Sequence, residues 1–227
     1  AAAGYTRCEQ VEGVGQFALR GGILDFFSPA CDRPVRCEFF GDELDSMGFF
    51  DPSTQRRTEN LQETELLPVA EVLPHCTPGG IPGLLGSLDS LMERARKDGE
   101  AHLELLSTLS SDRERLENGV AFPAVDRYLA LIYPEMATAA DYIPADAVVC
   151  LSESPRVAER ARNYLWRLEE DCKSLLESGL LAGEAAVFTR SWEELTAGLA
   201  GWPLLYLDTF PTSSYPCPPR TLLDGMA

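Results

Sequence analysis

The sequence lacks the residues and patterns that mark several common classes of protein. Only two of its 19 basic residues are lysines, and it has only two histidines. No apolar run approaches the roughly 20 residues that span a bilayer, so we expect no membrane-spanning segment. The patterns G-x-x-x-x-G-K-[ST], H-E-x-x-H and G-x-S-x-G are all absent. These absences argue against a P-loop nucleotide site, a zinc hydrolase and a serine hydrolase.

The cysteines point to a reducing compartment. Seven are present, but none forms a C-x-x-C pair, so their spacing fits neither a zinc site nor a disulfide framework. An odd number without a secretion signal predicts reduced thiols in a cytoplasmic protein. His75 adjoins Cys76, but no other cysteine or histidine lies at metal-ligand spacing from this pair, and we expect no metal site. The first residues include no Met and no basic segment, which predicts that there is no signal peptide and that the chain is cut from a longer protein.

Acidic residues dominate the charge. The 227 residues include 36 Asp and Glu against 19 Lys and Arg, which gives a formal net charge of −17. Proteins that bind duplex DNA rely on Lys and Arg to displace counterions, so this balance predicts no autonomous nucleic-acid binding. A hydrophobic content of 45% and a charged content of 24% are typical of a globular protein with one large domain or two small ones.

Residues 1–70 have the pattern of a small antiparallel β domain. Short runs rich in β-branched and aromatic residues alternate with turns rich in Gly, Pro, Asp and Ser. Strands that follow one another in this way favour a meander with one face toward solvent. The predicted strands are Tyr5–Val11, Phe17–Phe27, Val35–Phe40, Glu43–Phe50 and Gln55–Leu67.

Residues 71–227 predict a helix-rich α/β subdomain, so the chain as a whole mixes the α+β and α/β classes. The strands are too few for a complete α/β layer, and we expect the missing ones upstream of this sequence. The strongest helix has Ser154 as its N-cap, Pro155 at its first position and Gly179 just past its end. The other predicted elements are helices at Leu84–Ala95, Ala101–Leu116, Ala124–Leu131 and from Ser191, and strands at Ala147–Leu151, Ala186–Thr189 and Leu204–Leu207.

Strand alternation brings three candidate binding residues to one face of the β domain. In the run Val35–Phe40, Arg36 and Phe40 face away from the apolar side, and Arg20 does so in the preceding run. Two guanidinium groups and a phenyl ring that stand together in solvent are typical of a protein-docking surface. The alternative is that downstream helices cover Phe40 and that both arginines pair with local acids such as Glu38.

The segment Ser152-Glu153-Ser154 follows a short β run and has two compatible interpretations. Helicase-type ATPases end a β run with Asp-Glu to hold Mg²⁺ and a catalytic water. Here the neutral hydroxyl of Ser152 stands at the Asp position, where it cannot screen the charge of a metal ion. The segment is a degenerate ATPase box without activity, a plain strand end followed by a helix cap, or both. We predict no catalytic residue in the chain.

Several motifs resemble the region shared by the excision-repair helicase UvrB and the transcription-repair coupling factors. The four densest are Gly4-Tyr5-Thr6-Arg7, Gly15-Gln16-Phe17-x3-Gly21-x2-Leu24-Asp25-x-Phe27, Glu38-Phe39-Phe40-Gly41-Asp42-Glu43-Leu44-Asp45-Ser46 and Asp51-Pro52-x-Thr54-Gln55. Weaker matches follow at Arg127-Tyr128-Leu129, at Asp141-Tyr142-Ile143-Pro144-Ala145-Asp146 and at the degenerate box. UvrB keeps Asp-Glu-Ser-His in that box, whereas the coupling factors carry an inactive copy. The sequence Ser152-Glu153-Ser154-Pro155 therefore resembles the coupling-factor family more closely.

The resemblance implies a non-catalytic module that binds the damage-recognition ATPase UvrA through its β domain. The positions that carry this contact in the family match Arg20, Arg36 and Phe40. For the full-length parent, the resemblance implies an RNA-polymerase-binding domain and a motor on double-stranded DNA that uses ATP and Mg²⁺, whereas this fragment needs no cofactor. Two alternatives remain at this point: a fragment of a UvrB-type helicase with ATPase function, and a structural spacer in which Phe40 is buried.

Overall fold

A computed structural model describes residues 2–97, 102–120, 122–210 and 215–217 of the chain. The chain divides into two compact units, Ala1–Ile81 and Pro82–Ala227. The first contains a six-stranded, mainly antiparallel sheet, and the second combines helices with a two-stranded parallel sheet. The predicted combination of an antiparallel β domain with a helix-rich α/β subdomain is confirmed.

The six strands of the first unit lie side by side in chain order. Strand β1 runs parallel to β2, and every other neighbouring pair is antiparallel. This is the predicted meander, since short turns are sufficient to join sequential antiparallel strands. The strands are β1 (Thr6–Arg7), β2 (Gln16–Arg20), β3 (Ile23–Phe26), β4 (Val35–Phe40), β5 (Glu43–Phe50) and β6 (Arg57–Asn60).

The prediction of one continuous strand over Phe17–Phe27 is wrong, because this run folds into the hairpin of β2 and β3. The two-residue turn begins with Gly21, whose φ of +58° favours glycine. Gly22 is required for a different reason. A Cβ atom at this position would lie 2.7 Å from the carbonyl oxygen of Phe39, on the neighbouring β4. The glycine pair therefore both turns the chain and lets the hairpin approach the next strand closely.

Both faces of this sheet carry buried apolar side chains. The larger core consists of Tyr5, Phe26, Val35, Cys37 and Met47, and the returning segment after β6 packs against it through Leu61 and Val69. The opposite face, predicted to be exposed, holds a smaller cluster of Val11, Ala18 and Phe50. Polar residues on that face consequently have a partly buried environment.

The helices of the second unit follow the predicted spacing. They are α1 (Gly80–Lys97), α2 (Leu103–Glu117), α3 (Leu129–Ile132), α4 (Ser154–Glu177) and α5 (Trp192–Gly198), with a 3₁₀ segment at Pro123–Tyr128 immediately before α3. The buried Tyr128 hydroxyl donates a hydrogen bond of 2.7 Å to Asp112, which is also buried. This pair ties the 3₁₀ segment to α2 and satisfies two polar groups in the interior.

The start of α4 differs from the prediction. Ser154 is not the N-cap but the first helical residue, and Glu153 precedes it with a φ of +52°. The Ser154 N–H group donates to Asp208 Oδ1 at 2.9 Å, so a residue from after the second strand of this unit satisfies the helix start. Gly179, with a φ of +67°, follows the last turn as predicted.

Two short strands, β7 (Val149–Ser152) and β8 (Leu204–Leu207), pair in parallel. The bounds of β8 match the prediction. The predicted strand over Ala186–Thr189 is wrong, since this segment has no strand pairing. Helix α5 starts after Ser191 as predicted, and the Ser191 Oγ accepts the Glu194 N–H at 3.1 Å.

Candidate partner-binding surface

Asp25 lies at the centre of the polar face of the sheet and binds two of the predicted site residues. It is fully buried on β3, directly opposite Arg36 on β4. Its Oδ1 accepts from Arg36 Nε at 2.7 Å, and its Oδ2 accepts from Arg36 Nη2 at 2.8 Å. Arg20 Nη2 also donates to Oδ2, at 2.6 Å. One carboxylate thus joins guanidinium groups from β2 and β4, two strands that are not neighbours.

Arg36 is held from several directions. Its Nη1 donates to the Gln55 carbonyl oxygen at 3.0 Å, and its guanidinium lies over the Phe50 ring, 4.6 Å from the centroid. The hydrogen bonds with Asp25 raise the pKa of Arg36 above its usual value. Its side chain is only 13% exposed. The expectation that both guanidinium groups stand in solvent is therefore wrong for Arg36, and the acid that pairs with it is Asp25 and not Glu38.

The loop between β5 and β6 positions Gln55. Asp51 Oδ1 accepts the backbone N–H groups of Ser53 and Thr54 at 2.8 and 2.9 Å, which closes a tight turn. These bonds lower the pKa of Asp51 below its usual value. Gln55 follows with a φ of +59°, an uncommon conformation for a residue with a side chain. The motif Asp51-Pro52-x-Thr54-Gln55 thus has a structural purpose, because it presents Gln55 to Arg36.

Arg20 is the more accessible of the two arginines. Its side chain is 43% exposed at the end of β2. Within the described part of the chain, only its Nη2 forms a hydrogen bond, so Nε and Nη1 remain available as donors. Asp25 thus anchors Arg20 through one nitrogen and leaves the other two without a hydrogen bond in this part of the chain.

Phe40 is exposed at the tip of the hairpin formed by β4 and β5, with 84% of its surface accessible. It pairs with Glu43 across a two-residue turn, in which Gly41 has a φ of +64°. The irregularity in this hairpin inserts Asp45 on β5, so the alternation along β4 itself continues from Arg36 to Phe40. The ring is therefore not part of the core of the β domain.

The three predicted residues lie on the same face but not in one contact cluster. Arg20 and Arg36 are joined through Asp25. Phe40 lies two residues beyond Glu38 on β4, and Glu38 shares a row across the sheet with Ile23 and Arg20. Further exposed apolar side chains surround this end of the sheet, namely Leu19, Phe39 and Leu44. The surface therefore combines an anchored guanidinium with an apolar tip.

Sequence reasoning did not single out two residues that hold the predicted arginines, Asp25 and Gln55. Asp25 interrupts the apolar run of β3, and an acid at such a position signals a buried ion pair. Gln55 follows an Asp-Pro turn signature. Neither signal identifies the arginine involved, because that requires the register between strands.

The degenerate box has a structural role at the ends of the parallel strands. The Glu153 carboxylate accepts hydrogen bonds from the Thr209 N–H at 3.0 Å and from the Thr209 hydroxyl. The bond from the hydroxyl is the main reason that the pKa of Glu153 lies below its usual value. Ser152 is exposed at the end of β7, and Ser154 is buried. The three residues link β7, α4 and the segment after β8.

The described residues lack two further features. They contain no cluster of three or more His, Cys, Asp or Glu side chains with the geometry of a metal site. In the same part of the chain, no helix combines the length and apolar character needed to cross a bilayer.

The chain is similar to known proteins over most of its length. The sequence model of the family described as "UvrB interaction domain" matches residues 1–71. The transcription-repair-coupling factor of Bacillus subtilis (strain 168) is 28% identical over 209 residues, which covers 91% of this chain. The same factor of Staphylococcus aureus (strain bovine RF122 / ET3-1) is 28% identical over 213 residues, or 92% of the chain. That of Staphylococcus haemolyticus (strain JCSC1435) is 29% identical over 216 residues, or 94%.

The chain spans 18% of the length of each of these relatives. The hydrogen-bonded group of Asp25, Arg20 and Arg36 lies within the segment that the family model matches, and so does Phe40 at the hairpin tip. Residues 1–71 therefore match the UvrB interaction domain family, and the chain is similar to a segment of the transcription-repair-coupling factors, as its motifs predicted.

Proposed function

We propose that this chain is a non-catalytic interaction module that binds UvrA through the face carrying Arg20, Arg36 and Phe40. In a full-length coupling factor, this module would recruit UvrA to a stalled RNA polymerase. The parent's own contacts with RNA polymerase and double-stranded DNA, and its ATP-driven translocation, would belong to segments outside this sequence. The match to the UvrB interaction domain and the similarity to coupling factors support the proposal.

The observation that carries the proposal is the exposure of the Phe40 ring. A large aromatic side chain with 84% of its surface in solvent contributes little to the stability of the domain, because hydrophobic stabilisation requires burial. Aromatic and arginine side chains are the residues that most often dominate the binding energy of interfaces. Phe40 together with Arg20 offers a partner an apolar anchor and a guanidinium with free donors.

The two arginines have different roles in this proposal. Arg20 contacts an acidic group of UvrA through its free nitrogens, since charge-assisted hydrogen bonds to carboxylates are short and strong. Arg36 supports this contact, because its bonds to Asp25 and Gln55 fix the carboxylate that anchors Arg20. The main role of Arg36 in this proposal is to position Arg20.

The proposal requires neither catalysis nor a cofactor in this chain. Glu153 is engaged with Thr209, and a hydroxyl group stands at Ser152, where the ATPases have a carboxylate. We therefore expect neither ATP hydrolysis nor tight ATP binding by the purified chain. Hydrolysis above background would instead support a UvrB-type helicase fragment.

The proposal can be tested by measuring the affinity of purified UvrA for the chain. Phe40→Ala should weaken binding by about tenfold or more, as expected for an aromatic side chain that becomes buried in the complex. Phe210→Ala is the matched control, because Phe210 is similarly exposed (79%) but lies in the second unit. Both variants should keep the unfolding temperature of the wild type. Equal affinities for the wild type and Phe40→Ala would exclude Phe40 as an anchor, and no binding by the wild type would refute the proposed function.

A further inference from the structure

A pocket lies beside the proposed surface, at the outer edge of β2. We call it the edge pocket. It is open, has a volume of about 480 Å³, and is lined by Arg7, Cys8, Glu9, Gln10, Leu19 and Arg20. It forms because β1 ends at Arg7 while β2 continues to Arg20. The pocket is therefore continuous with the proposed UvrA contact through Arg20.

The side chains that line the pocket include more basic than acidic groups, in a chain whose net charge is −17. Two guanidinium groups line it against the single carboxylate of Glu9. Arg7 is exposed and forms no ion pair within the described part of the chain. Arg20 has two free nitrogens there. An arginine without an ion pair, close to a second one that Asp25 engages through a single nitrogen, favours binding of an acidic group.

The strand edge adds hydrogen-bonding groups of the backbone. The N–H of Phe27 donates to the carbonyl of Gln16, so Gln16, Ala18 and Arg20 form the hydrogen-bonded pairs with β3. Phe17 and Leu19 lie between these residues and direct their N–H and C=O groups to the opposite edge of β2, which faces β1. The Phe17 carbonyl accepts the Cys8 N–H there. Leu19, two residues further along, directs its N–H and C=O groups to the edge pocket, beyond the end of β1.

We propose that the edge pocket receives an acidic extended segment of UvrA, and that Arg7 is a further partner-binding residue. This inference rests on the proposed function. The backbone of such a segment would pair with Leu19, as in the addition of a strand to a sheet edge. Arg7 pairs with Phe17 and therefore lies on the opposite sheet face from Arg20. Successive side chains of an extended segment alternate in direction, so two adjacent acidic residues would reach both arginines.

The test compares charge variants of Arg7 in binding to purified UvrA. Arg7→Gln should weaken binding by about threefold to tenfold, and Arg7→Glu should weaken it more, since like charges across an interface repel. Arg56→Glu is the matched control, because Arg56 is also an exposed arginine of the β domain but does not line the pocket. The wild type should lose affinity as salt rises, and Arg7→Gln should lose less, because one charged contact is missing.

The outcomes separate this inference from the proposed function. If Phe40→Ala weakens UvrA binding but Arg7→Glu does not, the edge pocket is not part of the interface while the proposed function stands. If Arg7→Glu and Arg56→Glu weaken binding equally, only net charge matters and the pocket assignment fails. A labelled DNA duplex serves as a further probe. If the wild-type chain binds the duplex, and Arg7→Glu abolishes this binding but leaves the UvrA affinity unchanged, the pocket binds phosphate and the inference is wrong.

Discussion

Asp25 and Arg36 lie directly opposite each other on neighbouring strands, and their side chains are joined by two hydrogen bonds of 2.7 and 2.8 Å. The Asp25 side chain is fully buried and that of Arg36 is mostly buried. A buried pair of this kind is costly to break, because removal of one member leaves the other charge unpaired in a poorly solvated place. The polar face of the sheet is thus organised from within, and its exposed residues depend on a buried one.

The first prediction concerns Asp25. Asp25→Asn removes the negative charge that holds both arginines, and it should lower the free energy of unfolding by about 3 kcal/mol. Urea denaturation followed by circular dichroism measures this change. Asp42→Asn is the control, since the same substitution in the exposed turn after Phe40 should change the stability by less than about 0.5 kcal/mol. Equal stabilities for the two variants would mean that Asp25 does not hold the network.

The second prediction distinguishes the two arginines. Arg36→Glu places a second carboxylate against Asp25 in a mostly buried site, so it should lower the free energy of unfolding by about 3 kcal/mol or more. Arg20→Glu should lower the free energy of unfolding by no more than about 1 kcal/mol, because the Arg20 side chain is 43% exposed and solvent screens the repulsion. Thermal unfolding of both variants checks the order. A loss of UvrA binding is therefore informative for Arg20→Glu and ambiguous for Arg36→Glu. Similar stabilities would contradict the different burial of the two side chains.

The third prediction concerns pH. The backbone hydrogen bonds from Thr54 and Ser53 lower the pKa of Asp51 in the folded chain below the value of 3.8 that an unperturbed Asp side chain has. Because the folded pKa is depressed, this contribution to stability is complete above the unfolded pKa. It is lost as the pH falls from about 4 through the folded pKa. A carboxyl titration by NMR should give a lower midpoint for Asp51 in the folded chain than in urea.

A pair of variants controls the pH prediction. Asp51→Asn keeps an oxygen that can accept the two backbone N–H groups but does not titrate in this range. It should retain the turn and remove this part of the acid sensitivity, whereas Asp51→Ala should weaken the turn at every pH. If Asp51 titrates at the same pH in the folded and unfolded chains, the turn does not depend on its charge.

Much of the β domain could be predicted because its alternation is regular. The bounds of β4 and β5 match the predicted runs, and the parity of β4 correctly placed Arg36 and Phe40 on the same face. The run over Phe17–Phe27 was harder, because its apolar pattern continues through a glycine pair. Only the close approach to Phe39 shows why two glycines are needed there.

The candidate site was only partly predictable, for a physical reason. Whether an arginine on a strand stands in solvent depends on the residue opposite it, and that residue is set by the strand register. Asp25 lies opposite Arg36 and draws it out of solvent, whereas Arg20 pairs with Ile23 and reaches Asp25 diagonally. At the start of α4, the partner of Ser154 is Asp208, 54 positions along the chain. No local pattern can identify a contact of that separation.

The arrangement of the network sets a condition for any attempt to transplant this surface into another scaffold. Arg20 and Arg36 belong to strands that are not neighbours in the sheet, and the strand between them supplies the carboxylate that they share. Copying the hairpin that carries Phe40 would transfer the ring without its anchored guanidinium. The smallest portable unit is therefore the four-stranded stretch from β2 to β5, together with the turn that presents Gln55.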